Sequence, residues 1–347
     1  MQESKHSTRS NRPSPSPVSV SVIMTVRNDP VGCAVTLGSL ARQTRPPDEI
    51  VVVDGGSTDD TLAVIRQHSR FCPTLRVLES GPVNIARGRN LAARAARGPI
   101  IACTDSGCRA EPEWLARLVR PFEDDPATEF VAGGYRVEAR SRLEQVVGLA
   151  TMRGALQPIN PATFNPSARS MACTRELWSR AGGWPEWLSF SEDTLFDHKV
   201  RRLGARWRVA TDATVGWRPR STVGAIARQF YRYGTGRGQT QIGAPDFAYN
   251  LRNIAVIIVL LGLCSLTPWA LPLLLGAIGY CYVWTFHARA VQVTRRVGRI
   301  TAYPMCLGVM WVVLAANLTG FVMGSCQRWW NRDRFDCPTR AYLAGAA

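Results

Sequence analysis

Acids, hydroxyls and arginines gather at a few points along the chain, at spacings that suit chemistry. "EIVVVDGGSTDDT", Glu49 to Thr61, drives a β-branched run into Asp54, two glycines and a hydroxyl cluster. "PIIACTD" ends a second apolar run in Asp105, and "SFSEDTLFDHK" carries the adjacent pair Glu192 and Asp193. Two carboxylates ending parallel strands emerge at one sheet edge, where ligands of α/β proteins bind. Gly55 and Gly56 allow a close backbone approach there, and Ser57 or Asp59 can cap the helix that follows. Taken alone, the stretch is equally an ordinary capped turn. In the Glu192–Asp193 pair, a like-charged neighbour and partial burial both raise a carboxylate pKa, which helps a base work near neutrality. The same acids also suit the positive end of a helix over 194–202.

The elements that must position these groups alternate. "VSVSVIM", Val18 to Met24, reads as a strand entering a buried sheet. A helix over 31–43, a strand over 50–53, a helix over 58–68, a strand over 75–78, a helix over 86–96 and "PIIACTD" follow. This order predicts a parallel, doubly wound α/β sheet.

Later segments differ. Ile254 to Phe286 is a 33-residue uncharged run broken by Pro268 and Pro272, and Thr301 to Ser325 is a second; both suit membrane insertion. Three spans over 253–267, 269–286 and 302–324 put "HARAVQVTRRVGR" in the cytoplasm and the arginine-bearing tail, 326–347, outside. A two-crossing arrangement reverses both. Residues 1–17 read as a floppy polar tail rather than a signal peptide, which leaves the N-terminal domain cytoplasmic at an inner membrane. Val223, Ile226 and Phe230 share a helix side just before the first run, as an interfacial helix within 219–252 requires; packing on the domain explains them too.

The formal net charge of +16 comes mainly from arginine and suits nucleic acid, an anionic membrane face or a polyphosphate substrate. Much of the excess flanks apolar runs and no recognition motif accompanies it, so nucleic acid drops out. Ten scattered cysteines without a CxxC pair read as free thiols.

Five blocks, "SVIMTVRND", "TLGSLARQTRPPDEIVVVDGGSTDDT", "ARGRNLAARAARGPIIACTDSGC", "AGGWPEWLSFSEDTLFDHKVRRLGARW" and "QFYRY", resemble in order and spacing the family 2 glycosyltransferases, inverting enzymes of the GT-A fold. The resemblance covers about residues 18–233 and implies a catalytic domain over 18–218. It implies that Thr25 and Asp54 hold a nucleoside, most often uridine, and that Arg87 and Arg89 lie near the diphosphate, where a guanidinium fork suits phosphate oxygens. It implies Asp193 as general base with Glu192 beside it. It also implies Gln229, Arg232 and Tyr233 closing over the donor, and Trp184 and Trp187 lining an acceptor pocket, although two tryptophans are equally core. "TDSGC" matches the family's metal-binding DxD with Gly107 in place of the second aspartate, leaving Asp105 as the ligand for Mg²⁺ or Mn²⁺. The implied activity moves a sugar from a nucleotide donor to a lipid-linked or surface-glycan hydroxyl at a membrane, with membrane lipids as further partners. A processive polysaccharide synthase and a catalytically silent nucleotide-sugar-binding scaffold are the competing readings.

Overall fold

The computed structural model describes residues 18–152, 156, 160, 164 and 166–345; the tail at 1–17 lies outside them. The strands are β1 (Val20–Val26), β2 (Glu49–Asp54), β3 (Leu75–Glu79), β4 (Ile100–Cys103), β5 (Arg109–Ala110), β6 (Phe130–Val137), β7 (Met171–Thr174) and β8 (Trp207–Trp217). They form one eight-stranded sheet in the order β3-β2-β1-β4-β7-β6-β8-β5. β1 pairs in parallel with both β2 and β4, so strand order reverses at β1. Crevices at such switch points are where open α/β sheets take ligands. The expected parallel character holds for β1 to β4 and for β6 with β8, whereas β7 and β5 run against their neighbours and make the sheet mixed.

Both faces of the sheet are covered, which is why β1 and β2 are continuously apolar rather than alternating. Helices α1 (Pro30–Leu40), α2 (Thr61–Ser69) and α4 (Trp114–Asp124) bury Val20, Val22, Met24 and Val26 on one face. Helices α3 (Ile85–Ala95), α6 (Arg175–Arg180) and α7 (Glu192–Arg202) cover Ile23, Val51, Val53 and Ile101 on the other. The buried polar residue in β1 is matched: Ser21 Oγ donates to Glu49 Oε2 at 2.8 Å and accepts from the Gly98 N–H at 2.9 Å. Satisfied in this way, a hydroxyl costs little inside a core.

Beyond the sheet lie α5 (Arg142–Thr151), α8 (Val223–Thr240), α9 (Ala244–Cys264), α10 (Ala270–Tyr282), α11 (Ala288–Val297), α12 (Ala302–Trp330) and α13 (Arg332–Ala344). A π-helical turn over Val283–His287 joins α10 to α11. Three helical stretches, Ala244–Cys264, Ala270–Val297 and Ala302–Trp330, are long and apolar enough to cross a membrane. The C-terminal residues expected to be a tail form α13, whose Phe335 packs with Leu188 and Leu195 of the sheet domain.

The three apolar stretches pack differently. α12 lies along α8 through small residues: a Cβ on Gly320 or Gly324 would run into the carbonyls of Tyr231 and Thr235, and one on Gly238 into that of Phe321. Contact at Gly320–Tyr231, Gly324–Thr235 and then Gln327–Gln239 shows the two helices running in the same direction. The first turns of α12, at Ala302, Cys306 and Val309, share a cluster with Val146 and Val147 of α5 and Ile226 of α8. α9 and α10 instead form a hairpin whose apolar side chains, among them Ile258, Leu261 and Leu273, are exposed.

Candidate active site

The site is assembled at the carboxyl edge of β1, β2 and β4. Thr25 is half-buried at the end of β1, and the first turn of α3 closes on it at Gly88, where a Cβ would collide with the Thr25 hydroxyl. Asp54 is buried; its Oδ2 accepts the Ser57 N–H at 3.0 Å, while Oδ1 is buried with no hydrogen-bond partner. Gly56 has φ +77 and lies against the backbone of Gly81 and Pro82, so the glycine is required by both conformation and space. The cap role foreseen for Ser57 or Asp59 is modified: Asp59 Oδ1 accepts from the Thr61 N–H at 3.0 Å, at the start of α2.

Arg89 is the hub. Its guanidinium is 2% exposed, and it donates from Nη2 to Asp105 Oδ1 and from Nη1 to Glu192 Oε1, both at 2.7 Å. One buried cation thus ties the acid after β4 to the acid opening α7, the latter 103 residues from Arg89 in sequence. Asn90 does similar work for the loop before α7. Its Oδ1 accepts the Trp184 N–H at 2.8 Å, and its Nδ2 donates to the Trp184 carbonyl at 2.8 Å. Gly183, with φ +74, sits so close that a Cβ would lie 2.6 Å from Asn90 Oδ1. The "RGRN" segment therefore orients the 182–193 region from below, whereas Arg87 is exposed at the surface of α3.

At the head of α7, Ser191 adopts φ 61 and turns the chain into the helix. Glu192 is buried, and burial together with the Asp193 charge pushes its carboxyl up to about 7 against the pull of Arg89. Asp193 is half-buried; its Oδ1 accepts the Thr194 N–H at 2.7 Å. One turn further, burial and the Asp193 charge hold Asp197 well above the usual carboxylate range.

α8 supplies the other wall. Gly236 rests against the Phe190 carbonyl and the Ser191 hydroxyl, so any larger residue there would push α8 off the turn that opens α7. Gln229 Nε2 donates to the Tyr233 hydroxyl at 2.8 Å, and Arg169 Nη2 donates to the same oxygen at 3.3 Å. Arg169 Nε lies 4.0 Å from Asp105 Oδ2, and its guanidinium covers the Trp217 ring at 4.8 Å. A continuous polar path results: Gln229, Tyr233, Arg169, Asp105, Arg89, Glu192. Arg232 stands apart from it, exposed, over the Phe190 ring at 5.5 Å.

A cleft of about 1320 Å³ opens above this path, lined among others by Thr25, Asp29, Asp105, Gly107, Arg169 and Trp217. Asp29 is occupied, capping α1 through Gly32 N–H at 3.0 Å and accepting from the Ser106 hydroxyl at 2.7 Å. Among the described residues, no group of three or more His, Cys, Asp or Glu is arranged to hold a metal by itself. Asp105 still faces the cleft with Oδ2 free of any close bond, and a hard cation needs only one or two carboxylates when substrate phosphates complete its shell. Gly107 has φ +82, a conformation that disfavours the aspartate expected there.

Comparison with known proteins decides the class. Residues 21–166 match Glycosyl transferase family 2, and residues 100–323 match Glycosyl transferase family group 2. The chain belongs to that glycosyltransferase family. It is 26% identical over 237 residues to the glycosyltransferase AglE of Haloferax volcanii, covering 65% of this chain and 75% of AglE. It is 35% identical over 101 residues to a validoxylamine A glucosyltransferase of Streptomyces hygroscopicus, of which it spans 22%. A mannosyltransferase of Pyrobaculum calidifontis, solved with GDP-Man and Mn²⁺, shares the fold at TM-score 0.51 and 21% identity, over 97% of this chain and 89% of that one.

Two of the transferase's expected site residues lie elsewhere. Trp184 is 1% exposed and stacks on Phe196 at 4.8 Å, so its ring belongs to the core and faces no acceptor. Trp187 is half-buried under α13, edge-on to Tyr342 at 5.4 Å. Conversely, Arg169 and Trp217 went unnoticed in the sequence. Arg169 precedes the strand "MACT" with no acid near it in sequence, the only hint that its partner comes from elsewhere.

Proposed function

We propose that this glycosyltransferase transfers a sugar, with inversion, from a nucleoside diphosphate donor to a hydroxyl of a lipid-linked or surface-glycan acceptor at a membrane. The observation that carries this reading is the Asp105–Arg89–Glu192 link, which couples the donor side of the cleft to the acids opening α7. Thr25 and Asp54 would take the nucleoside, with the unpartnered Asp54 Oδ1 ready to accept from it. Arg169 faces the cleft where a departing diphosphate gains charge, and preorganised cations are most effective in such a site. A divalent cation held by Asp105 would neutralise part of that charge. Asp193 takes the acceptor proton as the hydroxyl attacks the anomeric carbon opposite the leaving group. Glu192 stands beside it at the head of α7, and Arg89 fixes the distance between the two halves. Gln229 and Tyr233 hold Arg169 in place, and Arg87 and Arg232 reach the donor from the rim.

The test uses the full chain in detergent with UDP-, GDP- and other nucleotide sugars. Transfer or hydrolysis of at least one, lost in Asp193→Asn, is expected. Binding without turnover, equal in both proteins, would overturn the enzyme mechanism. Chelation should abolish the activity and Mn²⁺ should restore it.

The membrane attachment in this reading rests on α9 and α10. The hairpin exposes large apolar residues to its tip, where Leu266 is 81% and Trp269 85% exposed. Large exposed apolar surfaces of this extent mark contact with lipid or partners, and three helices have the length and composition for it. α12 is handled differently: its first turns rest on α5, its length rests on α8, and α13 after it returns to the sheet domain. A helix held to one globular domain at both ends cannot cross a bilayer. Two crossings by the hairpin, with α12 lying at the interface and the C-terminus on the catalytic side, satisfy these contacts. Labelling of a single cysteine placed near Ala344 in sealed vesicles tests this arrangement; protection on the side opposite the catalytic domain would sink it.

A further inference from the structure

We propose a second binding site, for the anionic phosphate headgroup of a membrane lipid, in the hollow between the start of α5 and the end of α11. The proposal rests on the membrane attachment argued above. The hollow has a volume of about 600 Å³ and gathers Arg140 and Arg142 from the catalytic domain with Arg296 and Arg299 from the segment after the hairpin. The amide of Gln145 and the aliphatic surfaces of Leu149 and Val297 complete it.

Four exposed arginines lining one hollow give it a positive potential that draws anions. The protein supplies no such anion. No ion pair forms at Arg140, Arg142, Arg296 or Arg299 among the described residues, and the polar contact of the Arg142 guanidinium is a 3.4 Å approach to the Thr301 hydroxyl. The neighbouring acids are committed elsewhere. Glu144 pairs with Arg218 at 2.7 Å and accepts the Arg140 main-chain N–H with its other oxygen, and Glu138 pairs with Arg109 and Arg136. Planar forks of this kind suit phosphate oxygens, which accept two parallel bonds from each.

The position selects a lipid rather than a free anion. α11 continues directly from α10, the second arm of the exposed hairpin. Ile300, which follows Arg299 in the chain, is 80% exposed, an apolar surface on which an acyl chain can lie. Basic residues near an anionic leaflet each add measurably to attachment. Val137, Ala139 and Arg140 line both this hollow and the donor cleft, so a lipid held here has its headgroup next to that cleft.

The test is co-flotation of the full chain with vesicles of phosphatidylcholine alone and of phosphatidylcholine with one-fifth phosphatidylglycerol. Wild-type protein should float with both and prefer the anionic vesicles. Arg296→Gln with Arg299→Gln should lower the affinity for anionic vesicles by at least about tenfold and leave neutral-vesicle binding and nucleotide-sugar hydrolysis unchanged. Equal preference in wild type and double variant overturns the site while leaving membrane attachment intact. Failure of the wild type to float with either overturns the attachment itself. Loss of the preference in millimolar inorganic phosphate at constant ionic strength would assign the hollow to free phosphate and overturn the lipid.

Discussion

Beneath the cleft, the protein buries charge; along the α9–α10 hairpin, it exposes hydrocarbon. Arg89 is 2% exposed with acids on both forks, whereas Trp269 at the hairpin tip is 85% exposed. Each region reverses the usual partition of residues. The costs are opposite in kind. A buried ion must be fully paired, or desolvation outweighs its attractions; an exposed apolar face must meet something other than water. In the function proposed above, each reversal marks a surface from which water is displaced, by a charged substrate in the cleft and by lipid around the hairpin.

The comparison can be broken at either end. The largest effect is expected at the head of α7, where Asp193→Asn should lower the transfer rate by roughly a hundred- to ten-thousandfold with the unfolding midpoint unchanged. Arg89→Met would strand Asp105 and Glu192 and should destabilise the fold by about 3–5 kcal/mol, read by urea unfolding. A smaller loss there would mean that the acids find other partners. On the hairpin, Ile258→Lys, at a residue 62% exposed, should cost about 2.5–3.5 kcal/mol of insertion, seen as release by carbonate extraction with hydrolysis retained. If release does not change, that face does not meet lipid.

The subtlest test concerns pH. Glu192 binds its proton more tightly folded than unfolded, since burial raises its pKa from the ordinary 4.5 to about 7. Between those values the folded state holds the extra proton, so this group's contribution to stability falls as pH rises through the window. The rate should show an acid limb near pH 7 as Glu192 titrates. Glu192→Gln should move that limb to lower pH and flatten the stability loss; an unmoved limb would place the titration elsewhere.

Much of the cleft was legible in order along the chain. A β-branched run closing in an acid places that acid at a strand end in any parallel sheet, and Asp54 and Asp105 followed. The two tryptophans misled because an aromatic ring suits a sugar face and a core equally well, and Phe196, which claims Trp184, contacts it through the fold. The hydropathy of α12 resembled that of α9, yet its glycines brought it against α8; their meaning depends on what lies opposite.

The sequence by itself determined the strand-ending acids, the Glu192–Asp193 pair, the family and the apolar character of the last third, because these depend on residue type and local spacing. Only folding brought Glu192 onto Arg89, 103 residues away, placed Arg169 in the site, and returned α13 to the sheet domain. Those facts depend on which distant surfaces meet. A pairing between side chains brought together by crossovers leaves no periodicity in the chain to read.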